Sequence, residues 1–590
     1  VTVTDHPTLS RLEAAGLSFD ARLAALSSSE APKGRRSAAT LLPWWQAVVS
    51  EIRRELQNVA KSDPAAGVSV ARFSHRLFDE RWLTSQDARF ELIGVTNRVD
   101  RTPFQPKHCG ETRLVYRLAY EQTVRGERVR SKLPMTLVLE YTGAPRDENV
   151  PPEVACRAAA DGWRVAENTP EGAPLAEALL RGPLAAPLLD RAHLHQLGVN
   201  LQTVRWPSTV RPDLAGHAEY LLLGFEWNED AKTLVPRPLE NTPDVARLRA
   251  DPKLRADLAA WTAENLAAID AGTARVPERF LAKRARSVTP RGFARLENRP
   301  FRSIFRPSDF DAALFAKAET EKLDSVRSAE GLIRRLDDAS CQGCHESRSI
   351  AGFHFLGSDH GSNEAGNALV TAFSAHVEDE LERRSALTDA LAEGKSADFS
   401  RPSAERGAFD GYGAHCGLGD PSFAKWTCAE GLTCQPYDVP KGERGLVGTC
   451  LPPQLSVGDP CEVGSVEPSL DARKDRVGHA TRKECGGGLA CNSNEVGFPG
   501  GMCSASCSDA RDDMRCGAIA ILAPFNACLA RGEPFPHCLA EHVRPAGLRA
   551  CAVGSPCRDD YICAQSNTAR AHEGVCLPPY FLFQLRVDGH

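Results

Sequence analysis

Long apolar runs are missing from this 590-residue chain. The best stretches, such as Tyr220-Leu-Leu-Leu-Gly-Phe225, are strand-sized, whereas a membrane helix needs about eighteen or more consecutive apolar residues. No transmembrane segment is expected. Blocks of one charge sign are missing too. The formal net charge is −6, with acids and bases interspersed, so there is no Lys/Arg-rich footprint for a phosphate backbone and nucleic acid is not an expected partner. The chain also lacks a Gly-x-Ser-x-Gly elbow, a Walker-type loop, a Rossmann glycine fingerprint and a His-Glu-x-x-His pair. Asp509-Ala-Arg-Asp-Asp513 has neither the ligand spacing nor the glycine of a calcium loop. Methionine is scarce, at Met135, Met502 and Met514 only.

Cysteine is the opposite case. Twenty are present, and sixteen lie between Cys416 and Cys576, a density that persists as disulfides only in oxidising compartments. A periplasmic, cell-surface or extracellular location is expected. The start Val1-Thr-Val-Thr-Asp-His6 has no apolar leader, which matches a mature chain whose signal peptide has been removed. Outside the dense stretch remain Cys109, Cys156, Cys341 and Cys344. They divide into a distant pair, Cys109 with Cys156 as a candidate bridge, and a Cys-x-x-Cys pair.

Length allows about four units of about 150 residues. Residues 1–90 read as a helical region, with Leu41 to Ile52 placing apolar residues at three- and four-residue spacings before a turn at Ser62-Asp-Pro64. Residues 91–300 read as mixed α/β. Phe90–Thr96, Thr112–Tyr120 and Met135–Thr142 are strand-like, and Tyr220–Trp227 with Thr233–Pro236 form a candidate hairpin before a helical stretch over Thr242–Leu281. Residues 301–404 read as helical. An apolar stripe of Val326, Ala329, Ile333, Leu336 and Ala339 leads to Cys341, so that the Cys-x-x-Cys pair sits at the end of a helix. A second helix is expected from about Glu364 to Glu393, burying Leu369, Phe373, Val377, Leu381, Leu387 and Leu391. Gly394 to Gly407 reads as a linker. The predicted fold is thus α+β: a large mixed domain with an antiparallel sheet and many helices, followed over residues 405–590 by a disulfide-rich, loop-dominated module.

That module repeats weakly. Cys428 to Cys434, Cys485 to Cys491 and Cys557 to Cys563 share one spacing, and each is followed by Gly-x-Cys at Cys450, Cys503 and Cys576. The register is ambiguous, because Gly458-Asp-Pro-Cys461 also matches Gly554-Ser-Pro-Cys557. Cys507, Cys516, Cys528 and Cys538 look like an insertion. The region resembles the small cysteine-rich repeats of secreted proteins, which implies that disulfides stand in for a core and that the module serves for stapling, surface display or docking to a protein.

The chemistry concentrates at Cys341-Gln342-Gly343-Cys344-His345. Two thiols on one helical turn can add to the two vinyl groups of a haem while the adjacent imidazole binds the iron. These five residues resemble the haem-attachment motif of the c-type cytochromes. The resemblance implies one covalent haem c, thioether links at Cys341 and Cys344, and His345 as proximal ligand. The surrounding chain departs from the small soluble cytochromes c, whose motif lies near the start of a domain of about a hundred residues, so no fold is carried over. No methionine follows the motif within its own domain, which argues against His/Met ligation. The distal candidates, in order, are His354, His376 and His360. His354 lies nine residues on, at most about 30 Å of extended chain. Phe353 and Phe355 flank it and could wall a porphyrin, and Arg348 could pair a propionate. Rival readings of the two cysteines are a structural disulfide, a thioredoxin-like pair, or half of a zinc site. His193-Leu-His195 and His108-Cys109 have no evident third ligand and read as structural.

Three functions remain open. The chain can be an exported electron-transfer protein with one haem c and a redox partner protein, the reading placed first. It can be a haem c peroxidase or oxygenase with an open distal site. It can be a surface binding or assembly protein in which haem and disulfides are structural. A second Cys-x-x-Cys-His is absent, which argues against a dihaem peroxidase.

Overall fold

The structure is a computed structural model that describes residues 2–26, 42–62, 66–67, 75–124, 127–206, 217–289, 296–346, 375–406, 410–436 and 445–455, with short segments of the cysteine-rich region between residues 459 and 577. Alternation of β-branched, aromatic and polar residues builds its centre, a ten-stranded sheet. The strands are β1 (Thr2–Val3), β2 (Ala66–Gly67), β3 (His75–Leu77), β4 (Ala88–Arg98), β5 (Glu111–Val124), β6 (Glu127–Thr142), β7 (Leu194–Trp206), β8 (His217–Asn228), β9 (Thr233–Pro236) and β10 (Arg284–Thr289). They run in the order β1-β4-β5-β6-β7, with β8 beside β7, β9 and β10 along β8, and β3 with β2 at the end of β7. Every pairing is antiparallel except β2 with β3. The expected hairpin is β8–β9, with Phe225 opposite Pro236.

The sheet's two faces differ sharply. Leu114, Tyr116, Leu137, Leu139, Leu197, Leu201 and Phe225 are buried in the main core, each apolar side chain contributing about 1.5–3 kcal/mol. Helices α1 (His6–Leu12), α2 (Phe19–Leu26) and α3 (Pro43–Ser62) contribute residues to that core. In α3 the predicted spacing buries Trp44, Trp45, Val48, Val49, Ile52 and Leu56. The first ninety residues therefore hold the expected helices, but they also supply β1, β2, β3 and the start of β4, which helical periodicity does not signal. Helices α4 (Pro152–Ala155), α5 (Arg157–Glu167) and α6 (Ala173–Arg181) follow β6, and α5 and α6 add Ala160, Trp163, Leu175 and Leu179 to the same core. The Cys109–Cys156 bridge, as expected, ties the β4–β5 connection to α4.

A second apolar core gathers α7 (Val245–Ala250), α8 (Pro252–Glu264), α9 (Leu266–Asp270), α10 (Ala312–Thr320) and α11 (Ala329–Ala339). Val326, Ile333 and Leu336 of the predicted stripe are buried within it. Ser340 ends α11 with extended backbone, and the cysteine motif opens a new short helix, α12 (Cys341–Glu346), so it starts a helix rather than finishing one. The last long helix, α13 (Ala375–Ala392), coincides with the described part of the second predicted helix. Val377, Leu387 and Leu391 are buried there, whereas Leu369 and Phe373 lie outside the described residues.

The supposed linker is bound to the large unit. Arg401 N–H donates to Ala271 O (2.7 Å), Ala404 N–H donates to Asp338 (3.0 Å), and Glu405 pairs with Arg334 (2.7 Å). Beyond it, β11 (His415–Gly417), β12 (Thr433–Pro436) and β13 (Val447–Leu451) form a three-stranded sheet in the order β11-β13-β12. Bridges Cys416–Cys434 and Cys428–Cys450 cross it. Cys461–Cys491 and Cys485–Cys503 repeat the pattern of first to third and second to fourth. Cys557–Cys576 matches the second bridge of each unit, and Cys551 is also disulfide-bonded. The ambiguous register is thus resolved: Cys461 opens its unit, whereas Cys557 is second in its own. Among the described residues no helix is long and apolar enough to cross a membrane.

Candidate functional site

Helix α12 is held from three sides. Ser340 caps its start, with Gly343 N–H donating to Ser340 Oγ (3.1 Å) and Cys344 N–H to Ser340 O (2.9 Å). Cys341 N–H donates to Thr242 Oγ1 (3.0 Å). Gly343 is required by close approach, since a Cβ there would sit 2.0 Å from Asp337 O. His345, 8 % exposed, reaches β10, where its Nδ1 lies 2.8 Å from Ser287 Oγ. Its ring lies 5.3 Å from that of Tyr220, the residue paired with Ser287 across β8 and β10. Where Ser287 Oγ accepts from Nδ1–H, the ring's lone pair is on Nε2, the arrangement that suits an imidazole ligand.

Cys341 and Cys344 are free thiols, not a disulfide. Burial pushes Cys341 up to about 12, against a hydrogen bond from Thr242 and with help from Glu240. Burial also raises Cys344. Both shifts run away from the lowered thiol pKa that drives thioredoxin-type exchange. Among the described residues the clusters with three convergent metal-ligating atoms are Cys416/Cys428/Cys450, Cys461/Cys485/Cys491 and Cys551/Cys557/Cys576. All of these are disulfide sulfurs, and none includes the motif, so half of a zinc site finds no second half there.

Both thiols and His345 line a cavity of about 420 Å³, within the range of about 300–1,000 Å³ typical of cofactor pockets. Its floor is the polar face of the sheet, where three rungs follow from the strand register. Arg113, Glu140 and Gln196 stand side by side on β5, β6 and β7; next come Val115, Val138 and Gly198, with Gly224 on β8; then Arg117, Thr136, Asn200 and Leu222. An apolar, low-lying middle rung is thus bordered by charged rungs.

The cavity wall carries eight arginines against four glutamates, a cationic surplus. Arg98 forks onto Asp100 (2.8 and 3.0 Å), Arg101 pairs with Glu240, and Arg384 pairs with Glu380 (3.1 Å). Burial, then the neighbouring Arg98, pushes Arg384 down to about 9. Glu111 lies well below the usual carboxylate range, because Arg113 and Arg101 outweigh the effect of its burial. Glu140 is raised by burial, with Glu111 adding to the effect against Arg113.

Among the expected distal ligands, the described residues include His376 alone. It lines the cavity from α13 with Nε2 3.9 Å from Cys344 Sγ. His354, His360, Arg348, Phe353 and Phe355 lie outside the described residues. Of the two histidine clusters read as structural, His108 and His193 fit that reading, their rings 6.0 Å apart and His193 Nδ1 3.0 Å from Thr142 Oγ1. His195 does not fit it, because it lines the cavity, where burial and then Arg237 push it down to about 4. From the sequence alone His195 reads as structural, and these arginines are not singled out. They sit on separate strands and loops, and only their alternation with apolar residues on β5 and β6 could have marked a polar face. No family model matches the chain, and no curated protein or solved structure matches it either.

Proposed function

We propose that this chain is an exported mono-haem c protein that transfers electrons to or from a redox partner protein. The haem would be held by thioethers from Cys341 and Cys344, with His345 as proximal ligand. One observation carries the reading: both thiols and the imidazole of a haem-attachment motif open into a cavity of cofactor size with a surplus of arginine. A dianionic, flat, largely apolar macrocycle suits these walls. Its body would meet the Val115, Val138 and Gly198 rung, and its carboxylates would meet guanidinium groups, whose forks match them. The bound haem would supply the one-electron chemistry. The chain's own part is to fix His345 through Ser287 and to set the charge around the iron. His376 on α13 would offer the haem a second nitrogen, and two protein ligands would favour electron transfer over catalysis. The bridges of the cysteine-rich region support export, since such clusters persist where thiols are oxidised.

A haem enzyme is the second reading, and His195 favours it. An imidazole kept neutral at pH 7 beside Arg237 could move a proton in a distal pocket. One preparation separates the two. The native protein should stain for haem after denaturing electrophoresis, and a Cys341→Ala/Cys344→Ala variant should not; an unstained native protein refutes the haem. Added cyanide or carbon monoxide should leave the spectrum unchanged for electron transfer, and quick binding would favour the enzyme.

A further inference from the structure

Arg401 differs from half of the eight arginines that line the cavity. Arg98, Arg101, Arg113 and Arg384 each have a carboxylate partner. No ion pair joins Arg401 to a carboxylate among the described residues, and its buried Nε has no hydrogen-bond partner there. Burial, followed by the like charges of Arg98 and Arg101, lowers its pKa, while Glu380 and Asp100 act in the opposite direction without forming an ion pair with it. Burying such a charge is unfavourable and would ordinarily be avoided by letting the side chain swing into water.

The chain instead fixes the backbone that carries it. Arg401 N–H donates to Ala271 O, and Arg401 O accepts from the Arg335 guanidinium, which also donates to Asp270 O (3.1 Å). Gly272, at φ +69°, permits that approach, since a Cβ there would lie 2.5 Å from the Arg335 guanidinium and 2.9 Å from Arg401 O. Backbone on both sides is thus committed to delivering this one side chain to the cavity wall.

We infer that Arg401 is an anion-binding residue of the cavity, there to receive a carboxylate that the protein itself does not supply. The inference rests on the proposed haem only for the source of that carboxylate. Under that reading it belongs to a haem propionate; a free organic anion is the other source with the same chemistry. A planar guanidinium on a backbone fixed in advance loses less freedom for each hydrogen bond it forms than a flexible ammonium, which favours Arg over Lys at such a position.

The test uses the full chain carrying Cys341→Ala/Cys344→Ala, so that nothing attaches covalently, with Arg401 intact or replaced as Arg401→Met or Arg401→Lys. Haemin and haemin dimethyl ester are titrated by tryptophan quenching. With Arg401 intact, haemin should bind at least tenfold tighter than its ester; Arg401→Met should abolish the difference and Arg401→Lys restore part of it. In a second arm, succinate should raise the thermal midpoint of the Arg401 protein and not of Arg401→Met if the carboxylate is a free anion. Without ligand, Arg401→Met should be at least as stable as the parent, because it removes a partly buried charge that has no ion-pair partner among the described residues. Equal binding of haemin and ester by all three proteins together with no effect of succinate overturns the inference, as does a less stable unliganded Arg401→Met. Failure of the haem itself would register separately, as an unstained native protein that still responds to succinate.

Discussion

Gly331→Ala should loosen the joint between the cysteine-rich region and the helix that leads into the motif. Gly331 lies in the first turn of α11, whose N-cap Ser328 accepts its N–H (2.9 Å). A Cβ there would lie 1.9 Å from Ser422 Oγ and 2.3 Å from Ser422 Cβ. The second of these atoms is fixed to backbone, so α11 or the first disulfide unit must move. Overpacking of this kind costs about 1–3 kcal/mol. The shift also strains the bonds of Ser422 Oγ to Arg327 N–H (3.0 Å) and Ser328 Oγ (3.2 Å), each contributing about 1 kcal/mol. Against this, alanine gains about 1 kcal/mol over glycine in a helix. The net expectation is a loss of about 2–4 kcal/mol, read as a lowered denaturant midpoint by circular dichroism and as faster proteolytic release of residues beyond 405. Ser422→Gly removes both obstructing atoms, so the double variant should be no less stable than Ser422→Gly alone. A Gly331→Ala protein as stable as wild type would refute this account, as would a double variant that shows no rescue.

Two further perturbations probe the frame around the site. Opening the Cys109–Cys156 bridge, separated by 47 residues, with a double alanine variant should cost about 4 kcal/mol by the loop-entropy relation; a denaturant midpoint that hardly moves would show that the β4–β5 connection and α4 hold without it. Asp337 is raised to about 7 by burial, against Arg299 and the backbone bonds from Phe301 and Arg302. Its folded-state pKa lies above the unfolded value, so its contribution is full below about pH 4 and is lost as pH rises through 7. The upper bound is about 4 kcal/mol. Asp337→Asn, whose side-chain oxygen can still accept from Phe301 N–H (2.7 Å), should remove that part of the fall in thermal midpoint between pH 4 and 7.5. Parallel pH profiles for the two proteins would count against a raised Asp337.

What could be read in advance was what the chain writes contiguously. The five-residue motif, the β8–β9 hairpin, the apolar spacing of α3 and the even count of cysteines outside the dense region each depend on neighbours in sequence. The cavity does not. Arg98, Arg113, His195, Arg237, Arg384 and Arg401 come from three strands, a loop, a helix and a segment that composition marks as linker, and on β5 the pattern Arg113, Val115, Arg117 is what a solvent-facing strand would also show. Disulfide connectivity was hidden for a related reason. Spacing repeats the unit, but only strand pairing such as Cys434 opposite Cys450 decides which sulfurs meet.

The same distinction explains why the cysteine-rich region is more than an appendage. A short helix such as α12 has too few internal bonds to fix its own position, so the aim of its thiols and imidazole is inherited from its supports. One support is β10, through Ser287. The other is α11, which ends two residues before Cys341 and begins against the first disulfide unit, where Ser328 Oγ donates to Asp420 (2.8 Å) and Lys425 pairs with Asp324 (2.6 Å). Eleven helical residues rise about 16 Å, so the disulfide unit braces one end of a rigid rod whose other end sets the motif. In a segment with so little local stability, constraint from outside replaces constraint from within, which is the role that disulfides commonly take in small extracellular units.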